Sequence, residues 1–343
     1  MILSISLKDF TAFQSLDMQC SSCINVFIGA NSTGKSHLLK LMYALCAAKK
    51  PEIPIGDVAR RIADKLRGVF KPEGKIGRLC HGEAAKATVQ ATFAKDRAIS
   101  LAFSNDMDEV GVTDNQEYER YSYKPVFIPP KEMLSNFPGF SSLYLQRELA
   151  ADETYFDLCQ ALETPPLKEL PASVVEPLKA IKEACEGEFL LVKQQRFYYK
   201  PASGRMLEVD LAAEGFRKLG MLQRLLQNGR VLPAVSGPLF WDEPEANLNP
   251  ALMKSLVSVL LDLARQGQQI FLATHDYVIL KWIDLLSGEA DQVLYHSLYR
   301  GDNGEIAVNT TAKYLEIRPN AIDDTFAQLI DKDIERTVGG LGK

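Results

Sequence analysis

Long apolar runs are missing from this sequence: none of its 343 residues lies in a stretch near the roughly 18 apolar residues that a bilayer-spanning helix needs. No membrane segment is expected. Residues Met1 to Phe10 alternate apolar and polar side chains, without the basic-then-apolar build of a signal peptide, so a cytoplasmic location is expected. Cysteine is sparse, with six residues at 20, 23, 46, 80, 159 and 185, which excludes a disulfide framework in a chain this long. Cys20 and Cys23 have the spacing of half a zinc site. No second C-x-x-C completes it, so no structural zinc is expected. Internal repeats and low-complexity stretches are absent too. A large excess of positive charge is also missing. The net charge is −5, so the molecule as a whole does not attract nucleic acid.

What is present, 46% hydrophobic and 24% charged residues, is the composition of an ordinary soluble globular protein. Period-2 alternation predicts strands at Ile2–Asp9, 86–94 and 97–104, the last two joined at Lys95-Asp96. Buried-looking strands are predicted at Ile24–Ile28, Tyr123–Ile128, Leu239–Trp241 and Gln269–Ala273. Helices are predicted from about Lys35 to Ala48, around Val58, Ile62, Leu66 and Phe70, and over Glu214–Leu226, 250–265, 276–286 and 321–336. Residues 105–122 read as loop. The stretch from Lys131 to Glu188 reads as helix broken by Pro138, Pro165, Pro166, Pro171 and Pro177, hence a compact helical lobe rather than a long arm. Strands return at Phe189–Tyr199 and Met206–Leu211, and a hairpin turns at Asp302-Asn303-Gly304. Alternating strands and helices at both ends imply a layered α/β core.

Residues Gly29, Ala30, Asn31, Ser32, Thr33, Gly34, Lys35 and Ser36 match the pattern G-x-x-x-x-G-K-[ST]. They lie between an apolar strand and an amphipathic helix, which is the context the motif requires. The two glycines let the backbone turn tightly, so that N–H groups converge on phosphate oxygens. Lys35 is suited to neutralise β- and γ-phosphates and Ser36 to offer a hydroxyl to Mg²⁺; His37 follows them in the first turn of the helix whose positive end faces the anion.

A second apolar strand, Leu239-Phe240-Trp241, ends in Asp242, Glu243 and Pro244. Asp242 is placed to hold Mg²⁺ beside Ser36. Glu243 points elsewhere and can orient and deprotonate an attacking water. The strand Gln269–Ala273 ends in Thr274-His275-Asp276, where His275 can donate a hydrogen bond to a γ-phosphate.

At these residues the chain resembles the ABC-type ATPases, in the branch containing RecF, SMC proteins and OLD-like defence ATPases. The matching pieces are residues 5–13, the phosphate loop at 29–36, 241–250, 273–276 and 318–331. The resemblance implies a phosphate-loop NTPase of the α/β class: one head over residues 1–343, with an antiparallel β layer, an α/β core and a helical lobe inserted at 131–187. It implies ATP and Mg²⁺ as cofactors, ATP hydrolysis with Lys35, Glu243 and His275 as catalytic residues, and an ATP-dependent homodimer. In that dimer each nucleotide is completed by the partner's signature turn, here Ala213, Glu214 and Gly215. Ala213 aligns with the serine that usually meets the γ-phosphate, which removes one charge-assisted hydrogen bond worth about 1.5–3 kcal/mol. No glutamine stands in the Q-loop position, at 127–132, and Asn249 replaces a histidine common in the branch.

Three roles follow: an ATP-driven switch acting on DNA or a separately encoded effector, in anti-phage defence or repair; a nucleotide sensor with little turnover; or a transporter subunit, which the missing L-S-G-G-Q disfavours. The segment 49–78 carries nine basic against four acidic residues and is a candidate DNA contact through residues such as Arg61 and Lys65.

Overall fold

The structure is a computed structural model that describes residues 1–48, 58–113, 118, 124–146, 149–193 and 195–340. A six-stranded sheet lies at its centre. Its parallel strands β3 (Ile24–Ile28), β7 (Val126–Ile128), β11 (Leu239–Asp242), β12 (Ile270–Ala273) and β13 (Val293–Arg300) are joined by the antiparallel edge strand β14 (Ile306–Thr311), in the order β14-β13-β3-β12-β11-β7. Such parallel strands are covered on both faces and read as continuous apolar runs.

The two faces are sorted by residue type. Phe27, Phe271, Phe240 and Phe127 share one face and stack across four adjacent strands, with successive ring centroids 6.3, 5.0 and 6.4 Å apart. Tyr43, from the helix Lys35–Ala47, meets the rings of Phe127 and Phe240 edge-on. This geometry suits the aromatic quadrupole better than a face-to-face sandwich. The opposite face presents Ile24, Val26, Leu239, Trp241, Ile270 and Leu272, which join a second core with the helices Glu214–Gln227 and Pro250–Arg265.

Above the phenylalanine face lies an antiparallel sheet of β1 (Ile2–Phe10), β2 (Phe13–Gln19), β4 (Lys86–Phe93), β5 (Arg97–Ser104) and β6 (Gly111–Thr113), in the order β2-β1-β4-β5-β6. The Lys35–Ala47 helix is sandwiched between it and the central sheet. The antiparallel layer and the α/β core expected from the sequence are therefore both present. Strand β2 escapes the alternation rule because Gln14 and Ser15 are both exposed, so its period slips by one residue.

Between β7 and the Glu214 helix come the helices Phe140–Leu145, Glu153–Glu163 and Ala172–Ala184, then a small sheet of β8 (Gly187–Val192), β9 (Arg196–Pro201) and β10 (Leu207–Glu208). The single strand expected over 189–199 is instead a hairpin, with Lys193 in the left-handed region at φ +50°. Pro177 does not break its helix. It lies mid-helix, where the one lost hydrogen bond is offset by burial of Val174, Leu178 and Ile181. The predicted loop at 105–122 contains β6, and the terminal helix runs over Ala321–Gly340 rather than ending at 336.

The basic segment needs correction at Lys65. Its side chain is 9% exposed and bonds Glu153 Oε1 at 2.5 Å and Asp157 Oδ2 at 2.9 Å, so it has no free charge to offer DNA. Helical period-4 spacing marks the apolar face, but it does not reveal that a second helix brings carboxylates to Lys65. Arg67 pairs with Asp64 and Asp108, while Lys71 and Lys75 donate to backbone carbonyls. Lys49 and Lys50 lie outside the described residues. None of the six cysteines is in a disulfide, and no helix among the described residues is long and apolar enough to cross a membrane.

Candidate functional site

The phosphate loop leaves β3 at Ile28. Gly29 has φ +143°, and a Cβ built on it would lie 2.1 Å from the Leu298 carbonyl oxygen; Gly34 has φ +89°, and its Cβ would lie 2.6 Å from the Phe13 ring. Both positions thus exclude a side chain by conformation and by space. Thr33 Oγ1 donates to Ala30 O at 2.9 Å and closes the loop internally, while Asn31 and Ser32 face solvent. Gly34 caps the Lys35–Ala47 helix without a side-chain bond, and no acidic residue sits in the first turn. That end of the helix therefore keeps its unpaired N–H groups and positive potential. Lys35 Nζ folds back onto the loop, donating to Gly29 O at 2.8 Å and Ala30 O at 2.9 Å. Burial lowers its pKa, opposed by Asp242, Glu243 and Glu245.

Parallel register carries β11 to the same edge of the sheet, since Asp242 pairs with Ala273 and Ala273 with Phe27. Asp242 is buried and lines the same cleft as Ser36. Burial raises its pKa to about 6, helped by Glu243 and Glu245 and resisted by the neighbouring Ser36 hydroxyl and Lys40. Two oxygen donors side by side, one of them a carboxylate, fit a hard divalent cation. Glu243 turns away: its backbone is left-handed at φ +49°, its N–H donates to Ala273 O at 2.9 Å, and its side chain is 40% exposed. A cleft of about 540 Å³ is bounded by the phosphate loop, Ala12 and His37 on one side and by Asp242 and Glu243 on the other. Its volume falls in the range of small-ligand sites.

His275 Nδ1 lies 3.8 Å from Glu243 Oε1 and 3.4 Å from Glu245 Oε1. Glu245 also accepts the His275 backbone N–H at 3.0 Å, and its pKa is raised by burial. Glu245 is a functional residue not named above, and its position two residues after Glu243, on the same turn, is the sequence signal that marks it. Lys218 is another. That residue sits at a buried helical position between Gly215 and Leu222 and donates to the carbonyls of Glu243, Pro130 and Ala246. Its pKa is lowered to about 8 by burial, against the pull of Glu245, Glu243, Glu214 and Asp242.

Ala213, Glu214 and Gly215 form the start of the Glu214–Gln227 helix and are not part of the cleft lining. Ala213 and Glu214 are exposed, and Ala213 caps the helix without a side-chain bond. In the Q-loop position, buried Glu132 pairs with Arg217 at 2.9 Å, so this segment is tied to the same helix.

A central parallel sheet with a phosphate loop at its edge, roofed by an antiparallel sheet, is the architecture of an ABC-type ATPase head. The chain belongs to the family described as "AAA domain, putative AbiEii toxin, Type IV TA system", whose model matches residues 93–281. Among solved structures, an Smc head bound to the C-winged helix domain of ScpA superimposes with a TM-score of 0.59 at 15% identity, covering 90% of this chain and 97% of that one. The SMC head domain from Thermotoga maritima gives 0.50 at 14% identity, covering 90% and 98%. An Smc head with an extended coiled coil, bound to the C-terminal domain of ScpA derived from Pyrococcus furiosus, gives 0.51 at 13% identity, covering 97% and 99%. At the sequence level, the DNA replication and repair protein RecF of Oenococcus oeni is 46% identical over 46 residues, or 13% of this chain and 12% of RecF. The match therefore spans about an eighth of that protein's length.

Proposed function

We propose that this chain binds and hydrolyses ATP, closes into a homodimer around two nucleotides, and acts as a switch on DNA or on a separately encoded effector. The observation that carries the proposal is the cleft that brings Ser36 and Asp242 together with Lys35 and Glu243.

In this reading the backbone N–H groups of residues 29–36 cradle the phosphates, and Lys35 exchanges its bonds to Gly29 O and Ala30 O for β- and γ-phosphate oxygens. Ser36 and Asp242 hold Mg²⁺, which when bound neutralises charge on the transferring phosphoryl group. Glu243, lining the cleft with its side chain 40% exposed and His275 Nδ1 3.8 Å away, takes the proton of the attacking water. His275, oriented by Glu245, donates to the γ-phosphate. Ala213, Glu214 and Gly215 present the start of their helix to the nucleotide of the second copy, which is consistent with their position away from their own chain's cleft.

We read residues 1–343 as one head and 131–187 as its inserted lobe. Smc heads bound to ScpA domains support a protein partner, and the RecF match supports work near DNA; both belong to those proteins and reach this chain as proposals. The family description, which names a putative toxin of a Type IV TA system, supports a role in bacterial defence, and we place that role in the cytoplasm. ATP-dependent light scattering on the wild type and on Glu243→Gln tests the switch. The variant should stay dimeric in ATP while the wild type cycles, and a wild type that remains monomeric in ATP would refute it. The exposed Ala213 favours a second reading, a sensor that binds ATP with little turnover. Single-turnover hydrolysis separates the two.

A further inference from the structure

Glu243 sits on an unusual backbone, because a left-handed φ in a residue with a Cβ is disfavoured unless neighbours hold it. Two bonds do so. Its N–H is tied to the end of β12 through Ala273 O, and its carbonyl accepts from Lys218 Nζ at 2.6 Å. The same ammonium donates to Pro130 O at 3.0 Å and Ala246 O at 3.1 Å, so its three N–H donors meet three carbonyls from two other segments of the chain. Lys218 is 2% exposed.

The helix start is fastened to the Glu243 turn a second time. Asn247, also left-handed at φ +59°, donates from Nδ2 to Glu214 Oε1 at 2.8 Å. Next to Lys218, Arg217 grips Glu132. A displacement of the Glu214–Gln227 helix therefore pulls on the Glu243 carbonyl while the Ala273 bond holds the other side of the same residue.

We infer that Lys218 is a positioning residue for Glu243, transmitting the placement of the Glu214–Gln227 helix to that carboxylate. The inference rests on the proposed role of Glu243 in hydrolysis, and it names the element through which contact at residues 213–215 acts on the water-activating group.

Two variants and two measurements test it. Lys218→Met removes the donors at similar length, and Lys218→Arg keeps the buried charge but offers a planar fork to carbonyls arranged around an ammonium. Each should bind ATP with wild-type affinity and hydrolyse it in single turnover about 10²-fold more slowly, as expected when a reacting group is misplaced. Combined with Glu243→Gln, Lys218→Met should slow hydrolysis no further, since both changes remove one function. Amide hydrogen exchange on the nucleotide-free protein should quicken at 130–135 and 243–248 and nowhere else. Wild-type hydrolysis in Lys218→Arg, or losses that multiply in the double variant, would overturn the inference. A wild type with no hydrolysis that Glu243→Gln can reduce defeats the catalytic reading of Glu243 and this inference with it. Faster exchange at 243–248 in that case identifies the clamp as purely architectural.

Discussion

The Ser36 hydroxyl and the Asp242 carboxylate face one cleft, Ser36 from the first turn of the Lys35–Ala47 helix and Asp242 from the end of β11, and Ser36 holds down the Asp242 pKa. With the carboxyl titrating at about 6 when folded and near 3.8 otherwise, folding takes up a proton between those values. The associated stability is present at low pH and lost as pH rises through 6. Asp242→Asn should therefore stabilise the nucleotide-free protein at pH 7.5 by about 1–3 kcal/mol in urea unfolding, with no gain at pH 4. It should also abolish Mg²⁺-dependent hydrolysis.

Glu243→Gln keeps size and hydrogen bonding but removes the base. Turnover should fall about 10²–10⁴-fold with little change in ATP affinity, as read by stopped-flow phosphate release and by calorimetry. A comparable loss of affinity would reassign Glu243 to binding.

A methyl group at Gly29 collides with the Leu298 carbonyl in a backbone conformation it does not tolerate. Gly29→Ala should weaken ATP binding at least about tenfold while circular dichroism stays unchanged.

Restoring a hydroxyl with Ala213→Ser should strengthen the ATP-bound dimer by about 10- to 100-fold in sedimentation equilibrium, the equivalent of one charge-assisted hydrogen bond. No change would mean that residue 213 does not meet the partner's nucleotide.

Lys65→Met leaves Glu153 and Asp157 without their shared cation. Because the two carboxylates remain about a quarter exposed, the expected cost is about 2–4 kcal/mol, below that of a fully buried pair, measured by denaturant unfolding.

Local signals in the sequence carry much of the architecture. The glycines of the phosphate loop, the apolar runs of β3, β11 and β12, and the polar residues at their ends are all readable at a spacing that parallel pairing then brings to one sheet edge. Residues whose partners come from distant segments are not readable in that way. Lys65 looks like one more surface cation until the Glu153–Glu163 helix arrives beside it, and Lys218 looks like an ordinary helix lysine until three carbonyls surround it. The phenylalanine stack is similarly hidden, because each strand contributes one ring and only the sheet order aligns them.

The Lys35–Ala47 helix is also bonded to its surroundings along its length: Lys40 reaches Asp152 at 2.7 Å and Tyr43 reaches Asp157 at 2.6 Å, the same aspartate that Lys65 holds. Charged and hydroxyl groups placed this way tie the helix to Glu153–Glu163 at two successive turns. The opposite wall is fastened differently, by one buried ammonium fanned over three carbonyls and by the Asn247–Glu214 bond, so the cleft has one wall held by side-chain carboxylates and one held mainly through backbone oxygens.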